Sequence, residues 1–417
     1  MTLWKPVPRT AEVAAVYEAA EVDRLARPER YRLGKDAVEA VISRASRGVE
    51  DTFVDDPSVW REGLEQYLES AEKDGRLNAI GVKTAFGTAA ARLRARFLMN
   101  RHLAAHPEIG ERPLLPPIVI VGGWRTGTTF LFRLLATDPG FRAPFSAELG
   151  TPWRFDGASE SRRAELLDAL AGAQDHLQFL NPALATVHDF GPRLPEECVV
   201  AMGGDFRNWG FSSTMRLDSY STWLDGQDLT ASYVRHREIL QTLDTGDGRR
   251  WVLKAPAHLP ELPSLAAAFP GACIVHLHRD IVETLASGTS LFSVFRSTYS
   301  DEVDPRDVAR FQTDQTELWL RRALAFRASP AASTVTTLDV SYRDLVSTPA
   351  TVLKRIYEAA GVPAPDDLDG MVERHHAARP RHAKGVHHYT PAHFGLDENE
   401  LRRRFADWER GRWGGAR

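Results

Sequence analysis

The 417-residue chain has only two cysteines, no apolar run of the 18 or more residues a membrane span needs, and no marked excess of charge of either sign. Two cysteines, Cys198 and Cys273, make neither a disulfide framework nor a zinc site, and Cys273 falls inside an apolar, strand-like run. The opening Met1-Thr2-Leu3-Trp4-Lys5-Pro6 lacks the apolar stretch and cleavage site of a secretory signal. These absences point to a cytoplasmic protein without an integral membrane segment. A net charge of −4 provides no overall attraction to nucleic acid or anionic lipid, so any cationic patch must be local. There is no internal repeat and no low-complexity tract. What is present, 43% hydrophobic and 26% charged residues, is the composition of a globular protein large enough for an α/β domain and an accessory region.

One further lack is local. Ile118-Val119-Ile120-Val121 reads as a strand buried on both faces, followed by the glycine-rich Gly122-Gly123-Trp124-Arg125-Thr126-Gly127 and the start of a helix at Thr128. Glycines let the backbone turn sharply beside an anion, and the helix start offers free N–H groups and a positive dipole end. Against the nucleotide-binding pattern G-x-x-x-x-G-K-[ST], Gly122, Gly127 and Thr129 match, but Thr128 stands where the lysine belongs. Its absence argues against magnesium-dependent hydrolysis of a nucleoside triphosphate, and the cation of this loop is Arg125 instead. Downstream, Trp251-Val252-Leu253-Lys254 reads as a strand ending in a lysine, residues 259–269 as a helix, and Cys273-Ile274-Val275-His276-Leu277-His278-Arg279 as a strand ending in an arginine. Such a β-α-β unit makes parallel strands, and ligands bind off their carboxyl ends, where Arg125, Lys254 and Arg279 would converge.

A loop with its cation before the second glycine and two threonines after it resembles the 5′-phosphosulfate loop of sulfotransferases that use 3′-phosphoadenosine 5′-phosphosulfate. The arginine in place of the more common lysine is similar to the tyrosylprotein and heparan branches, within a bacterial group. Three more segments carry the resemblance in family order, over roughly residues 115–410: Arg279 through Ser287, Val340-Ser341-Tyr342, and Lys384-Gly385 ahead of Phe394-Gly395-Leu396. It implies a P-loop-like three-layer α/β domain with a central parallel sheet over 113–417, ending in a helical closing segment and preceded by a helical region over 1–112. It also implies that Arg125, Thr126, Gly127, Thr128 and Thr129 hold the 5′-phosphosulfate and that Lys254 contacts the transferring group. Phe130 and Tyr342 would meet the adenine, and Arg279 with Ser287, and Lys384 with Gly385, the 3′-phosphate. No metal is implied. Taken alone, Tyr342 reads more readily as core packing, and Lys384 has the alternative of a solvated basic loop.

Sulfuryl transfer also needs a base for the acceptor proton. The resemblance places a glutamate a little over twenty residues after the loop cation, which is Glu148, with an acid at a helix N-terminus as the alternative reading. His258 and His188 follow as candidates, since a histidine suits proton transfer near neutral pH unaided. Pro195-Glu196-Glu197 reads as a cap for a helix over 198–202, or else as pocket lining. Trp153, Phe206, Trp209, Phe211, Tyr220, Trp223 and Phe292 are aromatic walls for a small-molecule, lipid or carbohydrate acceptor, or core. Helices are predicted over 11–26, 37–44, 60–73 and 80–105, forming an accessory region, a lid or a homodimer contact, and further helices over 156–180, 229–243 and 398–412. The rival readings are a nucleoside or small-molecule kinase using ATP, and a non-catalytic phosphonucleotide-binding protein.

Overall fold

Five parallel strands make the central sheet: β1 (Ile118–Gly122), β2 (Phe141–Arg142), β3 (Arg250–Lys254), β4 (Cys273–His278) and β5 (Thr336–Ser341), in spatial order β2-β3-β1-β4-β5. The computed structural model describes residues 2–189, 191–379 and 389–411. Register pairs Ile120 with Lys254 on one side of β1 and Gly122 with Leu277 on the other. Alternation along β1 sends Val119 and Val121 to one face and Ile118 and Ile120 to the opposite one, and all four are fully buried. That is why the run is continuously apolar: both faces of the sheet are covered. The helices Thr128–Leu135, Pro349–Ala360 and Leu368–Ala378 contribute Leu131, Leu135, Val352, Ile356 and Met371 to the Ile118/Ile120 side.

The opposite face receives the N-terminal region. Its helices Ala11–Ala26, Val38–Ser46, Arg61–Lys73 and Ala79–Ala105 fall within two residues of the predicted bounds. Leu64, Leu68, Leu93 and Phe97 join Val119, Val121 and Leu253 in a single continuous core. The helices Val38–Ser46, Arg61–Lys73 and Ala79–Ala105 therefore share the core of the sheet, whereas Val13 and Tyr17 of the first helix pack against Leu180.

Three helical predictions are modified. The segment 259–269 begins as a 3-10 turn, Pro256–Glu261, before the helix Leu262–Ala268, because Pro260 has no N–H to donate. The segment 156–180 divides into Glu160–Asp168 and Ala171–Leu180. The closing segment divides into Glu398–Arg404 and Ala406–Gly411, and Leu401, Phe405 and Trp408 from it all reach the core. Among the described residues no helix is long and apolar enough to cross a membrane.

Candidate active site

The loop after β1 is held by two glycines that no other residue replaces without strain. Gly122 has φ +150°, and a Cβ there would stand 2.6 Å from the Leu277 carbonyl oxygen of β4. Gly127, at φ +92°, ends the loop in the left-handed region, where a Cβ would meet Leu345 at 2.9 Å and the Tyr342 ring at 3.1 Å. Between them Arg125 is also left-handed, at φ +64°, a costly conformation for a non-glycine residue. Two bonds hold it: Arg279 Nη1 donates to the Arg125 carbonyl at 3.0 Å, and Arg125 Nη1 donates to the Val187 carbonyl at 3.1 Å. Thr126 is buried and turns its hydroxyl back to the Gly123 carbonyl at 2.8 Å, so it closes the loop instead of facing a ligand.

The connections out of β1 and β4 leave in opposite directions, β1 toward β2 and β4 toward β5, which opens a crevice beyond their carboxyl ends. A cavity of about 800 Å³ lies there, and Arg125, Lys254, Arg279 and Tyr342 line it from the ends of β1, β3, β4 and β5. Gly127, Thr128, Thr129 and Phe130 line it from the loop and the first turn of the following helix, whose leading N–H groups have no partner within the helix. The Arg279 guanidinium lies over the Tyr342 ring at 4.5 Å, and its Nε donates to Glu283 at 2.8 Å. Phe130 is clamped by the helix Leu368–Ala378, with His376 stacked on it and His375 edge-on, both at 5.4 Å between ring centres. Ser287 is 3% exposed in the helix Ile281–Tyr299 and does not line the cavity. Lys384 and Gly385 lie outside the described residues.

The opposite wall comes from the Pro195-Glu196-Glu197 element. Its backbone is tied down by the Glu196 N–H to the Pro144 carbonyl at 2.9 Å, and by a bridge between Pro195 and Phe145. The predicted cap does not form: Glu197 precedes only a short 3-10 turn, Cys198–Val200, and makes no side-chain cap. Its carboxylate is instead bonded by the ammonium of Lys254, which is 2% exposed. A buried ammonium requires such a partner. Glu196 lies 3.9 Å from His188 Nε2. Burial pushes the Glu196 carboxyl up, but the His188 ring, the Glu197 N–H at 2.8 Å and the Lys254 charge outweigh it and leave the pKa lowered. Asp189 receives Arg133 at 2.7 Å and Arg379 at 3.0 Å. Apolar side chains, including Leu170, Leu177, Val187, Leu291, Phe292 and Phe295, also line the cavity, with Gln174, Ser146 and Ser213 among them.

Two of the three predicted bases lie elsewhere. Glu148 is 2% exposed in the short helix Ser146–Gly150 and does not line the cavity. Its carboxylate accepts the Phe145 N–H at 3.0 Å, capping its own helix, and pairs with Arg142 at 3.5 Å and with Arg163. The structural alternative therefore describes its position. His258 is fully buried, bonds the Tyr233 hydroxyl at 2.8 Å, and stacks on His236. Burial and the neighbouring imidazole push its pKa well down. Only His188 of the three lines the cavity. Of the seven aromatic residues read as acceptor walls, Phe292 alone lines it; Phe206, Trp209 and Tyr220 are buried in the core around the N-terminal helices. What sequence reasoning missed is the Lys254–Glu197 pair. The signal present was two adjacent acids after a proline, with a strand-end lysine that needs a counter-charge once buried.

Among the described residues one trio is arranged like metal ligands: His276, His278 and Asp339, with ligand atoms within 4.8 Å of one another. Arg327 already supplies a cation there, bonding Asp339 at 2.9 Å and His276 Nδ1 at 3.2 Å, and none of the three lines the cavity.

Residues 116–366 match the model of the sulfotransferase family. The chain is 24% identical over 257 residues to omega-hydroxy-beta-dihydromenaquinone-9 sulfotransferase Stf3 of Mycobacterium bovis, and to its namesake in Mycobacterium tuberculosis. That match covers 59% of this chain and 63% of each relative, less than two thirds of their length. The crystal structure of sulfotransferase STF1 from Mycobacterium tuberculosis H37Rv superposes with a TM-score of 0.77 at 27% identity, covering 88% of this chain and 98% of that one. The structure of sulfotransferase STF9 from Mycobacterium avium, at 23% identity, shares the fold with a TM-score of 0.77, covering 89% and 96%.

Proposed function

This chain belongs to the sulfotransferase family, and we propose that it moves a sulfuryl group from 3′-phosphoadenosine 5′-phosphosulfate to a hydroxyl of an apolar small molecule or lipid. The observation that supports this reading is the convergence of Arg125, Lys254 and Arg279 from three strand ends on one cavity that also contains a glycine-loop helix start. In this reading Arg125 and the N–H groups of Thr128 and Thr129 receive the 5′-phosphosulfate. Arg279 takes the 3′-phosphate, and Phe130 and Tyr342 flank the adenine. The acceptor oxygen attacks sulfur as the sulfur–oxygen bond to the 5′-phosphate breaks. Lys254 stabilises the charge that the departing phosphate oxygen gains, and the acceptor proton passes to His188. The step is one of positioning and electrostatics.

The apolar wall of Leu170, Leu177, Leu291, Phe292 and Phe295 favours an acceptor with a hydrocarbon body. The mycobacterial relatives are named for a hydroxylated menaquinone, a lipid of that kind. We place the reaction in the cytoplasm, where reduced thiols such as the free Cys198 and Cys273 persist. The test is calorimetric titration with 3′-phosphoadenosine 5′-phosphate, 5′-AMP, and ATP with magnesium. Micromolar or tighter binding that requires the 3′-phosphate is expected; preference for ATP, or no binding of the three, would overturn the reading.

A further inference from the structure

We propose that Glu196 and Glu197 divide the reaction between them, Glu197 positioning Lys254 at the leaving phosphate and Glu196 orienting His188 toward the acceptor hydroxyl. The proposal rests on the sulfuryl-transfer reading above. Both glutamates are positioning residues, each acting through a neighbour that meets the reacting atoms.

Glu197 has extended backbone, φ −72° and ψ 144°, and neighbouring side chains in extended chain point to opposite sides. The Glu197 carboxylate accordingly reaches Lys254 at the end of β3, while that of Glu196 reaches His188 at 3.9 Å. The mount beneath them is rigid. Glu196 N–H is bonded to the Pro144 carbonyl, Cys198 is fully buried, and the Val200 N–H closes onto the Glu197 carbonyl at 3.1 Å. A rigid mount matters because a misplacement of about 1 Å costs on the order of 100-fold in an oriented reaction.

Other charged groups stand close to His188. Arg125 donates to the Val187 carbonyl, and Asp189 is bonded by both Arg133 and Arg379. The Phe295 ring stands edge-on to the imidazole at 6.2 Å. Glu196, 3.9 Å from Nε2, is the carboxylate placed to orient this ring and to stabilise it once it has taken the proton. Electron flow stays balanced across the mount. The acceptor oxygen bonds to sulfur and gives its proton to His188, and the departing 3′-phosphoadenosine 5′-phosphate keeps the electron pair beside Lys254.

The experiment measures release of 3′-phosphoadenosine 5′-phosphate from the phosphosulfate across pH, with 1-dodecanol as the acceptor probe. It compares the full chain with Glu196→Gln, Glu197→Gln, His188→Gln and the two double variants that contain His188→Gln. If Glu196 acts through His188, Glu196→Gln and His188→Gln each lower turnover by about 100-fold, His188→Gln removes a limb of the pH profile that Glu196→Gln only displaces to lower pH, and the pair together is no worse than His188→Gln alone. Glu197→Gln lowers turnover at every pH, multiplies with His188→Gln, and is partly rescued by Glu197→Asp. The proposal is overturned if Glu196→Gln multiplies fully with His188→Gln, or if Glu197→Gln removes the pH limb while His188→Gln retains it, which would make Glu197 the base. Calorimetric titration of each variant with 3′-phosphoadenosine 5′-phosphate keeps the two failures apart. Intact binding with the wrong coupling pattern overturns this division alone, whereas a parent protein that does not bind overturns the sulfuryl-transfer reading itself.

Discussion

Replacing Arg279 with alanine separates a ligand contact from a loop support, because the residue serves both. Its guanidinium is bonded to the Arg125 carbonyl at 3.0 Å and lies over Tyr342 at 4.5 Å, so it braces the left-handed Arg125 while facing the cavity. The pair with Glu283, whose side chain is 58% exposed, contributes little. A charge-assisted bond to the 3′-phosphate is worth about 1.5–3 kcal/mol, the bond to the Arg125 carbonyl about 1 kcal/mol and the stacking on Tyr342 about 0.5–1 kcal/mol. Loss of the phosphate bond and of part of the loop support weakens 3′-phosphoadenosine 5′-phosphate by about 2–4 kcal/mol, on the order of 30- to 1,000-fold. Adenosine 5′-phosphosulfate, which has no 3′-phosphate, senses only the loop and weakens by less than about 10-fold. Arg279→Lys retains the charge but loses the fork and its stack, and falls between. Calorimetric titration of both ligands against the three proteins reads this out. Unchanged affinity for the 3′-phosphorylated ligand, or equal losses for both, would refute a role at the 3′-phosphate.

Glu148→Ala leaves Arg142, whose side chain is 7% exposed, without its carboxylate and uncaps the helix Ser146–Gly150. The expected loss is about 3–5 kcal/mol of stability in urea denaturation, with turnover per folded molecule retained; full stability with lost turnover would restore Glu148 as the base. The His236 imidazole, 1% exposed, has its pKa lowered to about 4 by burial. Because the folded value lies below the unfolded one of about 6.5, the stabilisation is complete above pH 6.5 and is lost as pH falls toward 4, by about 3 kcal/mol. His236→Phe should flatten that slope between pH 7.5 and 4.5; equal losses in the two proteins would refute the assignment.

The β1 strand, the glycine loop and the helix start at Thr128 are legible in the sequence because each depends on residues adjacent in the chain. The placement of Arg125, Lys254 and Arg279 at strand ends also follows from local pattern, since parallel strands bring their carboxyl ends together whatever joins them. The four N-terminal helices were equally readable from their spacing, but not the fact that Leu93 and Phe97 share a core with Val119 and Val121. Which acid faces the cavity was decided only by the tertiary structure. Glu148 sits at a plausible distance along the chain, yet Arg142 and Arg163 hold it in the interior. Glu197 reads as a helix cap, yet Lys254, distant in sequence and buried by β3, holds it at the cavity. Ser287 lies at the expected spacing after Arg279, but on a buried face of its helix. A strand's burial and a loop's turn are local properties of sequence, whereas the direction of a charged side chain is settled by whichever buried counter-charge the fold brings to it, and that partner is named only by the three-dimensional packing.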